Sequence, residues 1–138
     1  MKRILLSVMG LVVLGGCMQL KSAIGFHSSD NIHKFETRRS FVFDGDGALV
    51  QKAIKMGAAD RGWTVTNAED GCVRVFLDYR NGKRSLELDV IYDANSYYFK
   101  YVSSRRLAYD EGTGNIHPKA LSLANYLSQS INKRISAL

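Results

Sequence analysis

The sequence predicts a two-layer α+β sandwich, with elements in the order β-α-β-β-β-β-α, a mainly antiparallel sheet and two helices packed on one of its faces. Three observations carry this. Asn81-Gly82 lies between two alternating apolar runs, and a type I′ turn needs positive φ at both central residues, so this dipeptide is a strong hairpin signal. A second turn at Ala94-Asn95 carries the alternation into a further strand. Two amphipathic stretches, 47–61 and 118–135, supply the helices that an apolar sheet face must have as cover.

Arg39 through Phe43 reads as the first strand, with Phe41 and Phe43 on one face. Asp44-Gly45-Asp46-Gly47 is a turn, and Asp46 is suited to cap the helix that follows. Leu49, Val50, Ala53, Ile54, Gly57 and Ala58 keep helical spacing to about residue 61. Gly57 costs about 1 kcal/mol against alanine in a helix, so close packing of helix on sheet is its expected reason. Gly62 is placed to stop the helix as its C′ residue, and Trp63-Thr64-Val65-Thr66 begins the second strand.

The central turns fix a register. With Asn81-Gly82 as the loop, Leu77 faces Leu86, Val75 faces Leu88 and Val73 faces Val90 on one side of the sheet, while Arg74 faces Asp89 on the other. With a turn at Ala94-Asn95, Val90 meets Phe99, Leu88 meets Tyr101, Tyr92 meets Tyr97 and Asp89 meets Lys100. A slip of one residue destroys both sets. A polar loop over 104–115 follows, then His117-Pro118 opening the last helix, with proline at its favoured first position. Ala120, Leu123, Ala124, Leu127, Ile131 and Ile135 form one apolar stripe, and Lys133 and Arg134 complement the C-terminal dipole.

The first residues read as a targeting segment. Lys2 and Arg3 form a positive n-region, Ile4 to Leu14 an uncharged apolar stretch, and Leu14-Gly15-Gly16-Cys17 the end of it. Lys21 follows too soon for the run of about 20 apolar residues that a membrane-spanning helix needs. The four residues resemble the lipobox of bacterial lipoproteins. That resemblance implies a signal peptide at 1–16 cut between Gly16 and Cys17, and diacylglycerol with palmitate-type acyl chains on Cys17. Two or more chains give stable anchoring, at about 0.8 kcal/mol per buried CH₂. In a Gram-negative host, Met18 after the cysteine implies delivery to the outer membrane, lipid-anchored and facing the periplasm.

Residues 17–37 then read as the lipidated cysteine and a flexible tether, rich in Ser, His, Asn and Lys, with an r.m.s. reach of about 25 Å for about 20 residues. His27 and His33 in it read as residues of a solvated tether rather than as ligands, so no metal is expected. Residues 38–138 form one α+β domain. The net charge of +6, less the two charges of Lys2 and Arg3, leaves +4 on the mature chain, without the basic stripe and interleaved aromatics of a nucleic-acid interface. Of the two cysteines, Cys17 is taken up by lipid, so Cys72 is expected to stand alone as a small, partly buried strand residue.

The element order is similar to helix-grip domains, including those of some outer-membrane assembly lipoproteins. The stretch from Tyr97 to Ile131, with Tyr101-Val-Ser-Ser-Arg-Arg-Leu107 and Gly112-Thr-Gly-Asn-Ile-His-Pro-Lys119, resembles the C-terminal half of small proteobacterial lipoproteins. That resemblance bears on class and location and implies no activity.

Chemistry could sit in three places. Arg105, Arg106, Tyr109, Asp110, Glu111, Asn115 and His117 cluster in the loop before the last helix. There they hold the loop together, or bind an anion or partner at a helix N-terminus, or place His117 as a base oriented by Asp110. The outer sheet face carries Cys72, Ile91 and Tyr98 in one row and Phe76 and Val102 beside Glu87 in another, which suggests a surface covered by a partner or by the chain's own tether or first strand. Tyr79, Tyr92, Tyr97 and Tyr101 fall on the inner face, at the core rim or around a ligand pocket. The function expected is a non-enzymatic binding module with an envelope protein partner, no cofactor and no nucleic acid. A small-ligand carrier with a helix-grip-like pocket comes second, and a hydrolase using the 104–117 loop third.

Overall fold

The computed structural model describes residues 31–138; the signal peptide, Cys17, His27 and most of the tether fall on 1–30, outside the described residues. A 3₁₀ turn at Ile32–Lys34 precedes β1 (Arg39–Ser40), α1 (Gly47–Asp60), β2 (Thr64–Glu69), β3 (Cys72–Tyr79), β4 (Arg84–Tyr92), β5 (Ser96–Arg105) and α2 (Pro118–Ser136). The sheet order is β1-β5-β4-β3-β2, antiparallel at every pairing. Both helices lie on the face that carries Val73, Val75, Leu86, Leu88, Val90 and Phe99, all fully buried. The α+β fold is the one the sequence predicts.

The segment 31–37 is not tether. Phe35 is 1% exposed within the core, and Asn31 is 3% exposed. The Asn31 amide donates to the Thr113 carbonyl at 2.8 Å and to Asn115 Oδ1 at 3.3 Å, and the Ile32 amide donates to the Gly114 carbonyl at 3.0 Å. A short segment without a repeating period gave no sign of this, because its one apolar anchor, Phe35, acts alone.

The first strand is shorter than expected. β1 pairs only Arg39 with Tyr97 and Ser40 with Ser96, and the Phe41 amide then donates to the Asn95 carbonyl at 3.0 Å. Its alternation survives nonetheless, since Phe41 and Phe43 lie against the core while Val42 is fully exposed.

The Asp46 carboxylate caps α1, accepting from the Ala48 and Leu49 amides at 3.1 and 3.3 Å. Val50, Ala53, Ile54, Gly57 and Ala58 are buried, whereas Leu49 sits at the solvent side of the stripe. At the other end Gly62 has φ 79°. Its amide bonds to the Ala59 carbonyl at 3.1 Å and the Trp63 amide to the Ala58 carbonyl at 2.9 Å, the paired bonds of a Schellman stop. Gly57 is close-packed, but against the other helix rather than the sheet. A Cβ there would lie 2.7 Å from Ile131 Cα and 2.8 Å from its amide nitrogen.

Both registers fall where the turns put them. Leu77 pairs with Leu86, Val75 with Leu88, Val73 with Val90 and Arg74 with Asp89. Asp89 then pairs with Lys100, Val90 with Phe99, Leu88 with Tyr101 and Tyr92 with Tyr97. Asn81 and Gly82 have φ of 57° and 81°, as the turn requires. The register shifts between Glu87 and Leu88, so that Glu87 meets Ser103 and Val102 is the extra residue of a bulge. Val102 therefore does not stand directly opposite Glu87. On the outer face Arg74 grips Asp89 through two bonds, of 2.7 and 3.0 Å, and the hydrogen bond from Asp89 raises the guanidinium pKa above its ordinary value despite partial burial.

Tyr97 ties sheet to helix. Its ring is fully buried, and its hydroxyl lies 2.8 Å from Ser128 Oγ and donates to Asn132 Oδ1 at 2.7 Å. Burial raises its pKa, opposed by the Ser128 hydrogen bond. Tyr97→Phe leaves the buried Ser128 hydroxyl without this partner, while the exposed Asn132 can turn to water, which costs about 1–3 kcal/mol; urea denaturation should show a lower midpoint with an unchanged slope.

Candidate functional site

The loop before α2 does not assemble a reactive cluster. Arg105 extends β5 and its Nη2 donates to the Gly82 carbonyl at 2.6 Å, reaching the β3–β4 turn. Among the described residues neither Arg105 nor Arg106 makes an ion pair with Asp110 or Glu111. Asp110 turns inward on its own loop. Its Oδ1 accepts from the Gly112 amide at 2.9 Å, and its carbonyl accepts from Gly114 at 2.7 Å. Tyr109 stacks on Tyr101 with ring centroids 4.1 Å apart. His117 is the N-cap of α2, where Nδ1 accepts from the Lys119 amide at 3.0 Å. Asn115 is held by Asn31. Asp110, Asn115 and His117 thus hold backbone or a neighbouring side chain, while the ion pairs that a purely structural loop would make of Arg105 and Arg106 do not form among the described residues.

The inner-face tyrosines do not converge either. Gln51 Nε2 donates to the Tyr92 oxygen at 3.0 Å, Tyr101 pairs with Ser104 Oγ at 2.7 Å, and Tyr97 bonds to α2. Burial pushes Tyr101 up to about 12, with Ser104 working against it and the neighbouring Tyr109 adding to it. The Tyr79 hydroxyl is buried with no hydrogen-bond partner among the described residues. Among the described residues these hydroxyls have different neighbours and do not share one hydrogen-bonding group.

The outer face keeps its expected rows, with Cys72, Ile91 and Tyr98 in line. It is partly closed within the chain. Cys72 is 5% exposed and Asp89 is 2% exposed, and the Arg38 guanidinium lies 4.7 Å over the Tyr98 ring. Phe76, Ile91, Tyr98 and Val102 retain partial exposure. Cys72 does not stand alone as expected: it is disulfide-bonded, to a partner outside the described residues.

A site the sequence reading missed lies at the β1 edge. Lys34, Phe35 and Arg39 face Leu121, Ser122, Ala124 and Asn125 of α2 across a cleft of about 290 Å³. Arg39 is fixed there by Nη1 bonds to the Phe35 and Thr37 carbonyls at 3.2 and 2.7 Å. Its guanidinium lies 4.9 Å from the Phe99 ring centroid and 5.9 Å from that of Tyr97. Burial lowers its pKa from the ordinary arginine value. Among the described residues neither Arg39 nor Lys34 has a carboxylate partner. The only clue in the sequence was two cations flanking Phe35, inside a segment with no period to place them.

Among the described residues no His, Cys, Asp and Glu group could hold a metal ion, and no helix is long and apolar enough to cross a membrane. No protein-family model, curated protein or solved structure matches the chain.

Proposed function

We propose that the chain is a lipid-anchored envelope lipoprotein whose domain acts as a non-enzymatic binding or interaction module on the periplasmic side of an outer membrane, with an envelope protein as partner. The anchoring half of the reading is supported by Lys2-Arg3, the apolar run and Leu14-Gly15-Gly16-Cys17. The binding half is supported by one observation. The base and orienter of the hydrolase reading are used in holding backbone, His117 by capping α2 and Asp110 by closing its own turn.

The chain has two cysteines, and a sulfur carrying diacylglycerol has no thiol left to oxidise. Lipidation of Cys17 and a disulfide between the two cysteines are therefore exclusive forms of one chain. Cells fed radiolabelled palmitate should label the wild-type chain and leave Cys17→Ala unlabelled and released from the membrane fraction. After denaturation the labelled chain should take one maleimide tag, at Cys72. Full labelling of the mutant, or an unlabelled wild type that takes no tag, overturns the anchoring.

A small-ligand carrier is the second reading. The cleft beside Arg39 favours it, at the edge of α2 rather than in a helix-grip interior.

A further inference from the structure

We infer that the cleft between α2 and the Lys34–Arg39 segment is a binding site for a small oxyanion, a carboxylate or phosphate, that carries an apolar group. The inference stands on the ligand-carrier reading and names the class of ligand. Four features of the cleft converge on it.

The first is charge without neutralisation. Arg39 presents a guanidinium that is half-buried and stacked near Phe99, and Lys34 brings a second cation to the same cleft. Among the described residues no carboxylate pairs with either of them. A desolvated cation left without a counter-charge is costly, and an anionic ligand supplies what the fold omits.

The second is spare donor capacity. Arginine has five N–H donors, and the two carbonyls that hold Arg39 both take their bonds from Nη1. Ser122 and Asn125 add short polar side chains on the facing wall. The third is an apolar floor of Phe35, Leu121 and Ala124, which gives a non-polar group somewhere to go. At about 290 Å³ the cleft falls just below the range of about 300–1,000 Å³ that ligand pockets occupy, so the ligand must be small.

The fourth is rigidity. Tyr97 fixes α2 through Ser128 and Asn132, and Asn31 fixes the opposite wall through Thr113 and Asn115. A preformed wall spares the ligand the ordering cost of building one.

The test uses the full mature chain in zwitterionic nanodiscs, in buffer free of phosphate, titrated calorimetrically with hexanoate, hexyl phosphate, hexanol and hexylammonium against empty nanodiscs. A chain that does not incorporate refutes the anchoring and is titrated free in the same buffer, so the two readings fail separately. Both anions should bind at least about tenfold tighter than hexanol, as a charge-assisted bond predicts, and hexylammonium should not bind. Lys34→Glu, on the exposed rim, should weaken the anions about tenfold while leaving the melting temperature unchanged. Arg39→Gln should abolish anion binding, and Arg39→Lys should restore part of it. Inorganic phosphate separates the sources: if it matches hexyl phosphate, the head group alone is recognised and the apolar requirement is wrong. Equal affinity for hexanol and hexanoate, absence of heat with every probe, or anion binding unchanged in Lys34→Glu and Arg39→Gln overturns the site.

Discussion

Gly57→Ala should destabilise the domain, although alanine is the better helix former. The substitution gains about 1 kcal/mol of helix propensity. Against that, the new methyl would sit 2.7 Å from Ile131 Cα and 2.8 Å from its nitrogen, so α2 must move as a body. No side chain can rotate away, because the obstacle is backbone. Overpacking of this kind typically costs about 1–3 kcal/mol and occasionally more, and backbone contact puts the site at the upper end. A net loss of about 2 kcal/mol lowers Tm by roughly 10 °C in a domain of this size. Calorimetry on the single variant measures it, with Lys52→Ala against Lys52→Gly, exposed on the same helix, as a control for propensity alone. An unchanged or raised Tm would mean that the two helices separate at no cost.

The second large effect is on the outer face. Arg74→Ala should cost about 3 kcal/mol, because it strands a carboxylate whose side chain is 3% exposed. The loss comes from the charge left behind rather than from the attraction removed. Replacing both partners by apolar residues, Arg74→Met with Asp89→Leu, should therefore restore most of the stability. Urea unfolding of the two variants separates the explanations. If the double variant is as unstable as the single one, the pair stabilises by its own attraction.

The central meander was legible to the residue because two short turns each fixed a pairing, and both pairings placed apolar residues on one face. The bulge at Val102 was not. Nothing in Tyr101-Val-Ser-Ser104 marks one residue as extra, since the choice depends on how β5 leaves the sheet toward Leu107, which is buried. Gly57 was recognised as a packing glycine, but its neighbour was misassigned, because periodicity shows which face is buried and not what covers it. The candidate loop was read as a cluster from proximity in sequence. In three dimensions Arg105 reaches the β3–β4 turn, Asp110 closes its own loop and His117 caps α2, so each side chain serves a different feature. The cleft failed to show for the opposite reason. Its two walls, Lys34 to Arg39 and Leu121 to Asn125, are far apart along the chain and meet only through the core.

The seating of Asn31 also has a mechanical meaning. If the chain is held at a membrane through a lipidated Cys17, the form without a disulfide to Cys72, a pull along the chain reaches Asn31 first among the described residues. It is resisted there by a single bridge to Asn115 and the bonds to Thr113 and Gly114. Behind it stand Phe35 in its socket and then the two residue pairs of β1. Tension would peel these fastenings one after another, like stitches along a seam, and the four-stranded body would feel it last. The second seam, Lys34 to Arg39, is one wall of the cleft, so a pull that reached it would open the cleft while the four-stranded body still held.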